Sequence, residues 1–333
     1  MHFTELLEKT PAYRIFTADR DRGTLSHAYL LVSPDAEMNR AYVKHFAKAL
    51  FCEKQSVCGE CRTCTLIEKE RFVDCTVYPK MAEDGSIPQK IVTEDADDLV
   101  RQTYLAPVEG GRHVFVLAGA ETMTEQAQNK LLKTLEEPPA NTVILLVSTQ
   151  EYALLTTVAS RVKKLEIPLF TPEEIENALS DEGIEPERLK LVAASAGGMI
   201  GKALRLAGDP AFLDMAGLSL RILTNMQKSS DVADFSALVM KYKGNLTAFL
   251  DVFEIVVRDA LMFKTGKKDF IMNRDRIPEI AKAGMTFVPA ALIGAIEKSS
   301  DARKALKYNA NAQMVVDTLL FGILEGKYQW RKS

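Results

Sequence analysis

The 333-residue sequence predicts an α/β domain built on a parallel sheet, followed by two blocks made of helices alone. Three observations carry this. Up to residue 167 short strand-like runs alternate with helical stretches. Three of those five runs are almost wholly apolar, as strands covered on both faces must be. After Pro168 only helical periodicity remains.

The strands are expected at Ala28–Val32, Cys75–Tyr78, His113–Ala118, Thr142–Ser148 and Lys163–Ile167, with helices at Ala36–Phe51, Glu94–Tyr104, Thr124–Glu136 and Ala153–Arg161. Pro138-Pro139 ends the third helix, because proline lacks the amide donor and clashes with the preceding turn. Thr171-Pro172-Glu173-Glu174 is a capping box with proline at the first helical position. Short helices are expected at Glu187–Ser195 and Met199–Ala207. Amphipathic ones follow near Ala211–Met226, Val232–Tyr242, Thr247–Phe263, Ile277–Ala283, Pro289–Lys298 and Ala302–Leu324. The expected domains are therefore residues 1–168, 169–208 and 209–333.

A formal charge of −3 argues against a protein that coats nucleic acid nonspecifically, though a local basic patch remains compatible with it. Glu5 and Glu8 fall where a secretory signal would need an apolar stretch. No apolar run reaches the ~18 residues of a membrane span. The expected location is the cytoplasm, with no membrane partner. In that compartment four cysteines within residues 52–64 favour a metal over disulfides. Cys52, Cys58, Cys61 and Cys64, spaced C-x5-C-x2-C-x2-C, can give tetrahedral zinc all four thiolates and leave no open position for catalysis, so the site would be structural. An iron–sulfur cluster or unligated thiols are the alternatives. Cys75, at the start of a strand, reads as a buried small hydrophobe.

Between the first strand and its helix lies Ser33-Pro34-Asp35-Ala36-Glu37-Met38-Asn39-Arg40. The strand–loop–helix layout is that of a phosphate loop, G-x-x-x-x-G-K-[ST], but both glycines, the lysine and the hydroxyl are replaced. Met38 puts a side chain where backbone must approach phosphate, and Asp35 and Glu37 have the wrong sign for a polyanion. By itself the stretch also reads as an ordinary strand-to-helix connection. A second loss points the same way: where a nucleotidase sets two acidic residues at the end of a neighbouring strand, this chain has Ala118 and Gly119, leaving neither a magnesium ligand nor a base for the attacking water.

Gln128–Pro139, Asn141–Thr149 and Leu154–Arg161 together resemble the clamp-loader branch of the AAA+ proteins. Pro107–His113 matches the segment leading into the second strand motif of that branch. The four-cysteine knuckle stands where bacterial clamp loaders carry zinc, and Arg258–Met262 is more loosely similar to their collar domain. The resemblance covers nearly the whole chain, with residues 25–168 carrying most of the weight. It implies an AAA+ parallel-sheet domain with an inserted zinc knuckle, a small helical lid and an all-helical collar. It also implies a subunit that binds no nucleotide and has ATPase (gamma/tau-type) and delta-type clamp-loader subunits as partners. Primer-template DNA and a sliding clamp would be met within that assembly. Gly201, in Gly198–Leu204, stands where the family's ATPases have a sensing arginine.

Through the same resemblance Ser160-Arg161 becomes a trans-acting arginine finger, although Val162 departs from the family's serine-arginine-cysteine pattern. Taken alone, Arg161 reads as a helix-end cation held by the dipole and a carboxylate. Thr149, where the family's first sensor lies, is better explained as a strand-end cap. Lys130 and Lys133, at i and i+3, suit either DNA phosphates or a solvated helix face. His27 reads as a packed or capping residue. Two other functions fit less well: an AAA+ ATPase with an unusual loop, and a free-standing zinc-dependent DNA-binding protein.

Overall fold

The computed structural model describes residues 3–329 apart from 55 and 83. It divides into two units, one reaching Glu174 and taking in Met199–Lys202, the other made of Ile175–Gly198 and the chain from Ala203 onward.

The first unit holds a five-stranded parallel sheet: β1 Ala28–Val32, β2 Cys75–Tyr78, β3 His113–Ala118, β4 Thr142–Ser148 and β5 Lys163–Glu166, in the order β2-β3-β4-β1-β5. Leu30 lies between Leu146 of β4 and Lys164 of β5, and Phe115 of β3 pairs with Ile144 of β4. All seven residues of β4 are buried. Leu30, Phe115, Leu117 and Leu146 form one core with Leu99 of helix Thr93–Thr103 and Leu131 and Leu135 of helix Glu125–Glu136. A second core joins Tyr29, Phe16 and Phe46, the ring of Phe16 lying 5.0 Å from each of the other two. Covered on both faces, β1, β3 and β4 take the apolar composition that makes them legible, whereas edge strand β5 exposes Lys163, Lys164 and Glu166.

Two helices at the amino end, Phe3–Glu8 and Pro11–Asp21, escape the sequence reading. The signal for the second was present: Thr10 caps it, its hydroxyl accepting the Tyr13 N–H at 3.3 Å, and Pro11 occupies the first turn. The same arrangement recurs at Thr171, whose hydroxyl accepts the Glu174 N–H while Glu174 accepts the Thr171 N–H at 2.8 Å. The helix expected at Ala153–Arg161 is broken into a short turn Glu151–Ala153 and a helix Thr156–Ala159. Buried Gln128 accepts the Leu155 N–H at 2.7 Å, taking the donor that a continuous helix would use, and Leu154 and Leu155 stay extended.

In the second unit the longer helices are Phe212–Asn225, Ser229–Val239, Leu246–Lys264, Ile277–Thr286, Pro289–Lys307 and Ala312–Gln329. The break expected near Lys298 lies instead at Tyr308–Asn311, where Asn309 takes φ 59°. Ser299 resembles a cap in sequence, but it is fully buried and its hydroxyl is directed at the Leu250 carbonyl, 3.4 Å away, so the helix runs on. Among the described residues no single helix is long and apolar enough to cross a membrane.

Candidate functional site

The loop after β1 spends three of its backbone donors on itself. Asp35 N–H donates to Ser33 Oγ at 3.3 Å, Ala36 N–H to the Pro34 carbonyl at 3.2 Å, and Met38 N–H to the Asp35 carbonyl at 3.1 Å. In a phosphate loop such N–H groups converge on the ligand. Here an acid fills that neighbourhood: Asp35 is 4% exposed and its carboxylate accepts the Gly201 N–H at 2.8 Å, with the Tyr42 hydroxyl 3.4 Å away. Burial pushes the Asp35 carboxyl above its ordinary range and Glu37 adds to the rise, against the lowering effect of the Gly201 hydrogen bond. Met38 is buried.

Gly201 closes the loop from outside. A methyl group there would sit 2.6 Å from Glu37 Cβ, 2.7 Å from Asp35 Oδ1 and 3.0 Å from Met38 Cγ, closer than side chains pack. No arginine fits at that position in this arrangement. Arg40, standing where a phosphate loop has its hydroxyl, forms a two-pronged ion pair with Glu70 at 2.6 and 2.5 Å and reaches the Pro79 carbonyl at 3.2 Å. Asn39 is buried, its Oδ1 without a hydrogen-bond partner among the described residues.

At the end of β3, Ala118 is followed by Gly119 at φ 88°, a left-handed conformation that favours glycine. Three residues into the turn stands a carboxylate that the sequence reading missed. Glu121 accepts the Thr149 hydroxyl at 2.8 Å, and its other oxygen is buried with no partner among the described residues. The strand-end cap assigned to Thr149 belongs to its neighbour: Ser148 Oγ accepts the Gln150 N–H at 3.1 Å and donates to the Gln150 carbonyl at 2.8 Å. No sequence spacing links Glu121 to Thr149; only the adjacency of β3 and β4 brings them together.

Arg161 follows the short helix Thr156–Ala159. Its guanidinium donates to the Thr157 carbonyl at 2.7 Å, to Ser160 Oγ at 3.2 Å and to Glu136 at 2.5 Å, and the side chain remains one-third exposed. Glu136 ends the helix that also carries Lys130 and Lys133. Lys130 pairs with Asp97 at 2.9 Å, whereas Lys133 is exposed and has no ion pair among the described residues. His27 has a buried Nε2 without a partner among the described residues, and its carbonyl accepts the Ile144 N–H.

The four cysteines of the knuckle bring their Sγ atoms within 4.8 Å of one another. This fits a tetrahedral ion with metal–sulfur bonds of about 2.3 Å. Cys61 N–H donates to Cys58 Sγ and Cys64 N–H to Cys61 Sγ, both at 3.4 Å, which favours thiolate over thiol. The Cys61 and Glu60 N–H groups draw the Cys58 thiol down to about 6, while burial pushes that of Cys64 up. A set of four sulfurs this close can hold a metal ion such as zinc. Cys75 lies apart in β2, buried, its thiol pushed up by burial to about 12. Arg62, first in the helix Arg62–Glu68 that carries Cys64, pairs with Glu109 at 2.5 Å. Asp74 holds the Glu109 loop by accepting the N–H groups of Val108, Glu109 and Gly110.

The described residues thus combine a five-stranded parallel sheet, a four-cysteine knuckle inserted between β1 and β2, and an all-helical carboxy-terminal region. Residues 8–171 match the family described as DNA polymerase III, delta subunit, and residues 219–324 match the family for the carboxy-terminal part of the delta subunit. The chain belongs to the DNA polymerase III delta' family of clamp-loader subunits. It is 25% identical over 315 residues to subunit delta' of Bacillus subtilis, covering 92% of this chain and 93% of that protein. To subunit delta' of Pseudomonas aeruginosa it is 37% identical over 196 residues, 56% of this chain and 58% of the relative. Subunit tau of Escherichia coli is 33% identical over 193 residues, 55% of this chain, which spans only 29% of tau. Among solved structures, a gamma subunit-related protein of Thermotoga maritima aligns over 98% of both chains at 18% identity, with a TM-score of 0.47.

Proposed function

We propose that this chain is a clamp-loader subunit that neither binds nor hydrolyses ATP and that supplies Arg161 to the nucleotide of a neighbouring ATPase subunit. The observation carrying the first half is the Asp35 carboxylate, buried under Gly201 in a loop that already uses the amides of Asp35, Ala36 and Met38. A triphosphate would have to displace a like charge and break those bonds before gaining a donor. The second half rests on Arg161 lying at the end of the matched run Leu154–Arg161, one-third exposed, with Ser160 beside it.

Each acceptor around that guanidinium is one that a γ-phosphate could replace. Released from Glu136, Arg161 would stabilise charge on the transferred phosphoryl group, a contact worth about 10³–10⁵ in rate in other nucleotidases. Ser160 would orient it. In this reading gamma/tau-type and delta-type subunits are the partners, and the assembly loads a sliding clamp on primed DNA in the cytoplasm. Zinc in the four-cysteine knuckle is structural. Lys133 would be a better DNA contact than Lys130, which Asp97 already neutralises.

The test is ATP hydrolysis by the reconstituted loader with clamp and primed DNA, comparing wild type with Arg161→Ala after assembly of both is confirmed. A fall of more than about 10-fold, roughly 1.4 kcal/mol of transition-state stabilisation, is the expected result. Unchanged turnover would reduce Arg161 to a structural cation.

A further inference from the structure

The second unit carries a basic loop that the clamp-loader reading leaves without a role. Helix Leu246–Lys264 ends in a left-handed Gly266, φ 79°, with the Lys267 N–H bonded to the Met262 carbonyl at 2.9 Å and the Gly266 N–H to that of Phe263 at 3.1 Å. Beyond it the chain is pinned by one fully buried carboxylate. Asp259 accepts the N–H groups of Met272 and Asn273 at 3.0 and 2.9 Å and the Asn273 side-chain amide at 2.6 Å. Ile271, 2% exposed, is the loop's apolar anchor.

Apart from the exposed Asp269, what this fixed loop shows to solvent is cationic and aromatic. Lys264, Lys267 and Lys268 are exposed and Phe270 is 60% exposed. Lys264 and Lys267 have no ion pair among the described residues, and Lys268 lies 5.1 Å from the centroid of the Phe263 ring. Residues 264–276 contain five cations and two carboxylates in a chain of net charge −3, so the positive charge is local. A loop held open by a buried acid keeps a large ring in water with lysines and arginines on either side of it in sequence.

We propose that this loop is a binding site for single-stranded nucleic acid. Lysines follow a phosphate backbone without reading sequence, and an exposed aromatic ring can stack on an unpaired base. Duplex DNA satisfies the lysines but leaves the ring idle, because its bases are already stacked. Single-stranded template is a ligand that a DNA polymerase III subunit meets. The site lies outside the α/β unit that carries Lys130, Lys133 and Arg161.

The experiment is fluorescence anisotropy of the 333-residue chain, wild type and variants, on a labelled oligothymidine of about 20 nucleotides, an abasic strand and a duplex of the same length, over a salt series. Circular dichroism establishes that each variant is folded. The combined variant Lys264→Ala, Lys267→Ala and Lys268→Ala should lose at least about 10-fold in affinity and lower the salt slope by about 2, given roughly 0.7 per phosphate contact on single strands. Phe270→Ala should lose about 10-fold on oligothymidine and nothing on the abasic strand. Duplex should bind more weakly and ignore Phe270. The proposal is overturned if the triple variant binds as wild type does, if Phe270→Ala is silent on oligothymidine, or if an acidic peptide binds the loop while oligothymidine does not. Arg161→Ala should leave this binding intact, which separates the site from the arginine-finger reading.

Discussion

Asp35 and Gly201 meet across 166 positions of sequence, and their contact holds the loop after β1 shut. Glycine in a helix normally costs about 0.5–1 kcal/mol relative to alanine, so helix propensity alone would make Gly201→Ala stabilising. The overlap with Glu37, Asp35 and Met38 opposes that, and overpacking of this kind costs about 1–3 kcal/mol. Urea denaturation of Gly201→Ala should therefore show a net loss of stability; a gain would mean that the neighbours yield freely. Arg161 poses the opposite problem, a residue that must be able to leave its partner. Its pair with Glu136 is partly exposed, and such pairs contribute about 0–1 kcal/mol. Glu136→Gln should therefore leave turnover of the assembled loader at or slightly above wild type, within about fivefold. A collapse as deep as that of Arg161→Ala would show instead that Glu136 orients the guanidinium for its task.

Among the elements, buried strands were the most legible, since a strand covered on both faces can hardly contain anything but apolar residues. Each strand lies where expected; only β5 ends one residue early. Helix ends were less legible where a distant side chain intervened. Gln128 captures the Leu155 amide and splits one helix, and burial of Ser299 carries another through a stretch that resembles a cap. The cysteine knuckle was readable because its four thiols are close in sequence. Metal analysis of the purified chain should find one zinc per molecule, with Cys64→Ser losing it and unfolding at lower temperature, as chelation would also cause. Iron together with acid-labile sulfide in place of zinc would make the site a cluster and remove the purely structural reading.

At the scale of the whole molecule, the proposed division of labour predicts that the isolated chain is blind to nucleotide. Equilibrium titration with labelled ATP and magnesium should show no saturable binding up to about 1 mM, a Kd range equivalent to about −4 kcal/mol. Micromolar binding would revive an ATPase with an unusual loop and remove the basis for a subunit that only donates to its neighbour. The sequence by itself determined the alternation of strands and helices, the cluster of thiols and the absence of a phosphate loop's glycines, lysine and hydroxyl from residues 33–40, because each is a matter of residue type over a short span. Only the tertiary structure decided that Asp35 lies under Gly201, that Thr149 is bonded to Glu121 and that Arg161 rests on Glu136. Those partners stand 166, 28 and 25 positions apart, and no local periodicity records which distant side chains a folded sheet and its helices will bring within hydrogen-bond reach.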